Sequence, residues 1–89
     1  MMFLGYSITA PGQAAGIEAI RAQKGLFSSR TIGKAIEPYV HKTSKVWPRT
    51  TRFMAATAAA EQLIFDAVRD GKIISGGAIV GVPQWRRKP

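Results

Sequence analysis

The last third of the chain constrains the fold more than any other part. From Thr51 to Asp70 the apolar residues Phe53, Met54, Ala60, Leu63, Ile64, Ala67 and Val68 trace one stripe at helical spacing. At 1.5 Å per residue this predicts a helix of about 30 Å. Its run MAATAAA has high helix propensity and little side-chain bulk. Small side chains admit a close surface, so two readings stand side by side: an alanine face packed on a neighbouring helix, or one laid on the floor of a major groove. Gly71 ends the helix, and two β-branched runs follow, Lys72 to Ser75 and Ala78 to Val82, around Gly76-Gly77. Such a pair of runs predicts a hairpin turning on the two glycines, because a type I′ turn needs positive φ at both central positions. Pro83 is expected to stop the second strand and Trp85 to fold back over a small core. Arg86, Arg87 and Lys88 would then project as a basic tail.

Upstream, Met2 to Ile8 reads as a short strand. Thr9 and Pro11 signal a helix start, and Ala14, Ile17, Ala19 and Ile20 supply its apolar stripe. Gly12 and Gly16 weaken this helix by about 1 kcal/mol each relative to alanine. Its end is placed near Lys24, with Gly25 as a left-handed cap. Ser28 and Ser29 offer hydroxyls to the free amides of a second helix. In that helix Ile32, Ala35 and Ile36 share the apolar face, while Arg30, Lys34 and Glu37 point outward. Pro38 closes it near Ile36 or Glu37, and Tyr39 and Val40 are expected to plug the edge of the core. The polar connector HKTSKVWPRT leads to the third helix, entered at Pro48 or at a threonine behind it.

With 89 residues the chain is expected to form one domain, 1–89, with its packed part over 10–85 and a tail at 86–89. A hydrophobic content of 46% is enough for one core. The absence of cysteine excludes disulfides and thiolate metal sites, and a single histidine, His41, cannot assemble a metal cage, so no metal or cofactor is expected. The opening MMFLGYSITA has only four residues before Gly5 and no basic leader, whereas a membrane span needs about 20 apolar residues. The expectation is a cytoplasmic protein without a membrane partner.

The formal net charge is +8, and it is unevenly placed. Residues 41–52 carry four basic and no acidic side chains, as do residues 71–89, whereas residues 53–70 carry one basic against three acidic. A field clustered in this way attracts polyanions, and nucleic acid is favoured over an acidic protein partner.

The order helix, helix, basic turn, longer helix, hairpin resembles the winged helix-turn-helix domains that bind double-stranded DNA, over roughly residues 10–85. The resemblance implies a small α+β fold of three helices followed by a C-terminal β-hairpin, with a short N-terminal strand. It implies further that the third helix lies in the major groove with its first residues at the base edges. On this sequence Arg49, Thr51 and Arg52 would approach bases, with Ala55 and Ala58 along the exposed side of the helix. Lys42, Lys45, Ser29 and Arg30 would meet phosphates. The Arg86, Arg87 and Lys88 tail would replace a wing whose tip carries no basic residue. The connector between the second and third helices, about ten residues, is longer than the family's tight turn. The function implied is that of a small transcriptional or replication regulator of bacterial or phage type, located at the nucleoid.

Catalysis finds little support. Glu18, Glu37, Glu61, Asp66 and Asp70 are scattered, and His41 beside Lys42 reads as a solvent-facing loop residue, so no catalytic residue is assigned and the chain is read as a non-enzyme. Two other classes remain open. Tyr39, Trp47, Phe53 and Trp85 lie near basic residues, and aromatic faces beside Lys and Arg stack unpaired bases, which would make an RNA- or ribosome-associated protein. The more economical reading is that at least three of the four belong to the core or its edge. A basic chain with an edge strand at Met2 to Ile8 also suits an adaptor or inhibitor acting on an acidic protein, or a homodimer.

Overall fold

A computed structural model describes residues 1–89. The elements, in chain order, are β1 (Met2–Phe3), β2 (Tyr6–Ile8), α1 (Ala10–Ala22) and α2 (Ser29–Ile36). A 3-10 turn (Glu37–Tyr39) follows, then β3 (Val40–Lys42), α3 (Arg52–Arg69), β4 (Ile73–Ile79) and β5 (Val82–Arg87). This is an α+β domain of three helices with a C-terminal hairpin. The strands differ in number and order from the expectation.

The N-terminal strand is two strands. Leu4 and Gly5, both at positive φ (56° and 82°), turn the chain so that β1 and β2 pair antiparallel. Gly5 also lies against the backbone of Lys45 and Val46, where a Cβ has no room. β3 pairs with the other side of β2, Ile8 opposite Val40 and Tyr6 opposite Lys42. The sheet order is therefore β1-β2-β3, and Tyr6 to Ile8 form its centre rather than an exposed edge. Tyr6, Ile8 and Val40 are buried beneath it.

Gly12 and Gly16 are buried in α1, at contacts rather than at weak points. A Cβ on Gly12 would stand 2.6 Å from Tyr39 Cβ, and one on Gly16 would meet Leu63 and Ile36. The helix ends without the expected glycine cap. Gln23 is extended, its side-chain amide donates to the Ala19 carbonyl at 3.0 Å, and Gly25 does not take positive φ. Ser28 is the N-cap residue of α2, but neither it nor Ser29 makes the expected hydroxyl cap; instead the Ser28 carbonyl accepts from Thr31 N–H at 3.1 Å.

The alanines of α3 face inward. Ala55, Ala56, Ala59 and Ala60 are fully buried, continuing through Leu63, Ile64 and Ala67, whereas Met54 and Val68 are exposed. Ala60, Leu63, Ile64 and Ala67 keep the expected stripe, while its first half turns from Phe53 and Met54 to Ala55, Ala56 and Ala59. α2 approaches α3 closely enough for Gly33 to lie on Thr57. The Thr57 hydroxyl is buried there without a hydrogen-bond partner. At the far end, Gly71 N–H donates to Val68 and Lys72 N–H to the Ala67 carbonyl at 2.9 Å, with Gly71 at φ 73°. This is a Schellman motif, which satisfies two terminal carbonyls and turns the chain into β4.

The hairpin is longer than expected and turns elsewhere. Val80 and Gly81, at φ 50° and 75°, form the tip, with Ile79 paired to Val82. Gly76-Gly77 is an irregularity inside β4, between the Ser75–Trp85 and Ala78–Pro83 pairs, with Gly77 at φ 88°. A G1-type bulge, like a type I′ turn, takes a glycine at positive φ, and Gly77 supplies it. Pro83 does not end β5 but pairs within it, and the strand runs on through Arg87. Between α1 and α2, Phe27 joins β5 by two hydrogen bonds with Trp85, at 2.9 and 2.7 Å. Phe27 is buried, and Trp85 covers the core with its ring edge-to-face to Phe65, centroids 6.2 Å apart.

Candidate nucleic-acid interface

The connector between α2 and α3 occupies residues 37–51 and is held at several points. The Thr43 hydroxyl donates to the Gly5 carbonyl and accepts from Lys45 N–H, Trp47 N–H donates to Leu4 at 3.1 Å, and the Tyr6 hydroxyl donates to the Thr50 carbonyl at 3.1 Å. The β1-β2 turn and Tyr6 thus fix a loop that its own sequence leaves unspecified. Pro48 and Arg49 make its last turn, with Arg49 at φ 61° and the Thr50 hydroxyl closing onto the Trp47 carbonyl at 2.6 Å. Thr51 then caps α3, its Oγ1 accepting from Met54 N–H at 3.1 Å.

Several residues expected to meet nucleic acid come together here. Lys42 shares a face of the sheet with its partner Tyr6, whose hydroxyl lies under the loop, so Lys42 sits beside the entry to α3. Lys45 and Arg49 are exposed in the loop itself. Arg30, exposed in the first turn of α2, lines a shallow hollow of about 320 Å³ with Leu4 and the outer side of α3 at Met54, Ala58 and Glu61. Ser29 is half-buried in the same first turn. The three ion pairs of the molecule, Arg21–Glu18, Arg69–Asp66 and Arg69–Asp70, involve none of these basic residues. None of them is drawn into an ion pair, although Glu61 borders the same hollow as Arg30.

Other assignments change. Ala55, expected along the exposed side of α3, is fully buried, and Ala58 is half-buried. Arg52 is committed internally: Nε donates to the Val40 carbonyl at 3.1 Å and Nη2 to that of Glu37 at 3.5 Å, tying the start of α3 to the first residues of β3 and of the 3-10 turn. Arg86 and Arg87 are strand residues paired with Ile74 and Ile73, not a projecting tail. Arg87 Nη1 donates to the Arg21 carbonyl at 2.8 Å, and Lys88 N–H to Lys72 at 3.0 Å. Both lie at the opposite end of α3 from Arg49.

Of the four aromatic residues beside basic ones, Trp85 and Phe53 are half-buried, and Tyr39, expected to plug the core edge, rests its base on Gly12 but is exposed. Trp47 is 60% exposed, between Lys45 and Arg49. No helix is long and apolar enough to cross a membrane. Comparison of the chain with protein-family models, curated proteins and solved structures gives no match.

Proposed function

We propose that this protein binds double-stranded DNA in the manner of a winged helix-turn-helix domain, and acts as a small regulator of transcription or replication. The observation that carries the reading is the set of exposed, unpaired cations, Lys42, Lys45 and Arg49 with Arg30, grouped about the N-terminal end of α3. Three arranged helices, a following hairpin and the Phe27 segment laid against that hairpin are compatible with such a domain. In this reading Lys42, Lys45 and Arg30 neutralise phosphates, while Arg49 and the outer side of α3 near Met54 and Ala58 approach the groove. Thr51 positions the helix by capping it, and Arg52 holds the connector.

Fluorescence anisotropy with a random-sequence duplex and a matched single-stranded RNA, at about 50 and 200 mM salt, tests this. Duplex preference with affinity falling steeply between the two salt concentrations is the expected outcome. Absence of binding to either at the lower salt removes the reading and leaves an acidic protein partner. A second reading rests on Trp47, whose open ring between two cations suits stacking on an unpaired base. Quenching of tryptophan emission by RNA, lost in Trp47→Leu, would favour that alternative.

A further inference from the structure

A second cavity lies at the other end of α3. It is a cleft of about 640 Å³ between α1, the last turn of α3 and the base of the hairpin. Its floor is apolar: Ile20, Leu63 and Ile73 belong to the core, and Ile17, which borders it, is 43% exposed. Its rim carries Arg21, Arg69, Lys72, Arg87 and Lys88 against the carboxylates Asp66 and Asp70, an excess of three positive side chains. Arg69 pairs with both carboxylates, at 3.4 and 3.6 Å. Arg21 reaches Glu18 only at 3.9 Å, and Lys72, Arg87 and Lys88 pair with no carboxylate. The C-terminal end of α3 contributes only about half a negative charge. The Schellman turn at Gly71 and the bond from Arg87 to the Arg21 carbonyl hold the three walls together.

A concave site of this size, with a greasy floor and charge of one sign on its rim, suits a ligand with an apolar body and an anionic head. The geometry points to a binding site for an amphipathic organic anion, an aliphatic or aromatic carboxylate, whose body lies on Ile17 and Leu63 and whose head meets Lys72 and Lys88. This site is separate from the nucleic-acid interface and does not depend on that reading. Polar small molecules lack the body, and neutral lipids lack the head that would displace water from the rim cations.

The probe is 8-anilinonaphthalene-1-sulfonate, which combines an apolar ring system with an anion and fluoresces when its water is removed. The whole protein is expected to bind it saturably at one site, with displacement by decanoate but not by acetate or decanol. Charge reversal of two exposed rim residues, Lys72→Glu with Lys88→Glu, is expected to weaken binding about tenfold or more. Ile17→Glu, at a position already open to solvent, should abolish it. Lys42→Glu with Lys45→Glu, at the far end of the molecule, should leave it unchanged. Equal affinity in all variants overturns the proposal, as does competition by decanol equal to that by decanoate. Displacement of the probe by random-sequence duplex overturns it too, because the rim cations would then belong to the nucleic-acid interface. Displacement by polyglutamate at lower concentration than by decanoate would assign the cleft to an acidic polypeptide instead.

Discussion

Arg52 begins α3, where an arginine in a basic entry segment reads as a base contact. Its partners, however, are carbonyls 12 and 15 residues upstream, at the start of β3 and the start of the 3-10 turn. Those partners become neighbours only after the connector has folded back, so the sequence position shows the cation and not its use. Hydrogen bonds from a charged donor contribute about 1.5 to 3 kcal/mol, less where solvent competes. Arg52→Met keeps the aliphatic stem and removes both bonds, and is expected to cost about 1 to 2 kcal/mol. On a domain of this length that lowers the melting temperature by roughly 5 to 15 °C. An unchanged melting temperature together with a large loss of duplex affinity would return Arg52 to the binding surface. Gly12 and Gly16 carry the same lesson: helix propensity counts them as losses, yet each marks a place where α1 touches another part of the chain. A propensity scale sees a residue's own backbone and not the surface pressed against it.

Among the elements, the helices were legible because period and breakers agree: Pro11 opens α1, Pro38 closes α2, and Gly71 closes α3. The strands were less so. β3 is three residues long and is defined by pairing with β2 and by the fixing of its loop, neither of which leaves a local pattern. The shift of the stripe on α3 was hidden for a related reason. Bulk places Met54 and Val68 on the core stripe, whereas Ala55, Ala56 and Ala59 fill it beside the expected Ala60, Leu63, Ile64 and Ala67. In the hairpin, Gly76-Gly77 drew the expected turn to the bulge, and the true tip holds a valine. Val80 has φ 50° and is 97% exposed, a left-handed conformation that costs an L-residue about 1 to 2 kcal/mol, without any burial in return. Asparagine before glycine is the favoured pair for this turn. Val80→Asn is therefore expected to raise stability by about 1 kcal/mol, read as a higher urea midpoint with an unchanged slope. A lower midpoint would mean that the tip is not a two-residue turn with both φ positive.

At the scale of the whole molecule, the two basic blocks of the sequence become two separate ends. Lys42, Lys45 and Arg49 gather where α3 begins, and Lys72, Arg87 and Lys88, joined by Arg21 from α1, gather where it finishes. The blocks were legible in the order of charges along the chain. Their separation was not, because it depends on an 18-residue helix standing between them. Such a helix spans about 27 Å, between two and three times the screening length of about 10 Å at 0.1 M salt, so the two groups act as largely independent fields. That independence allows the proposed DNA contact to be located by its counterions alone. Each phosphate neutralised adds about one unit to the dependence of log affinity on log salt. Lys42→Gln with Lys45→Gln and Arg49→Gln is expected to reduce the slope for a random duplex by about three units. Lys72→Gln with Lys88→Gln removes charge at the other end and should reduce it by less than about one. The comparison needs only binding isotherms at four or five salt concentrations, on variants whose changed side chains are all exposed. If each charge removed lowers the slope equally at both ends, the duplex wraps the whole molecule and the interface at the start of α3 loses its privilege. If only the far pair matters, DNA docks on the cleft end, and α3 would be read from its C-terminus.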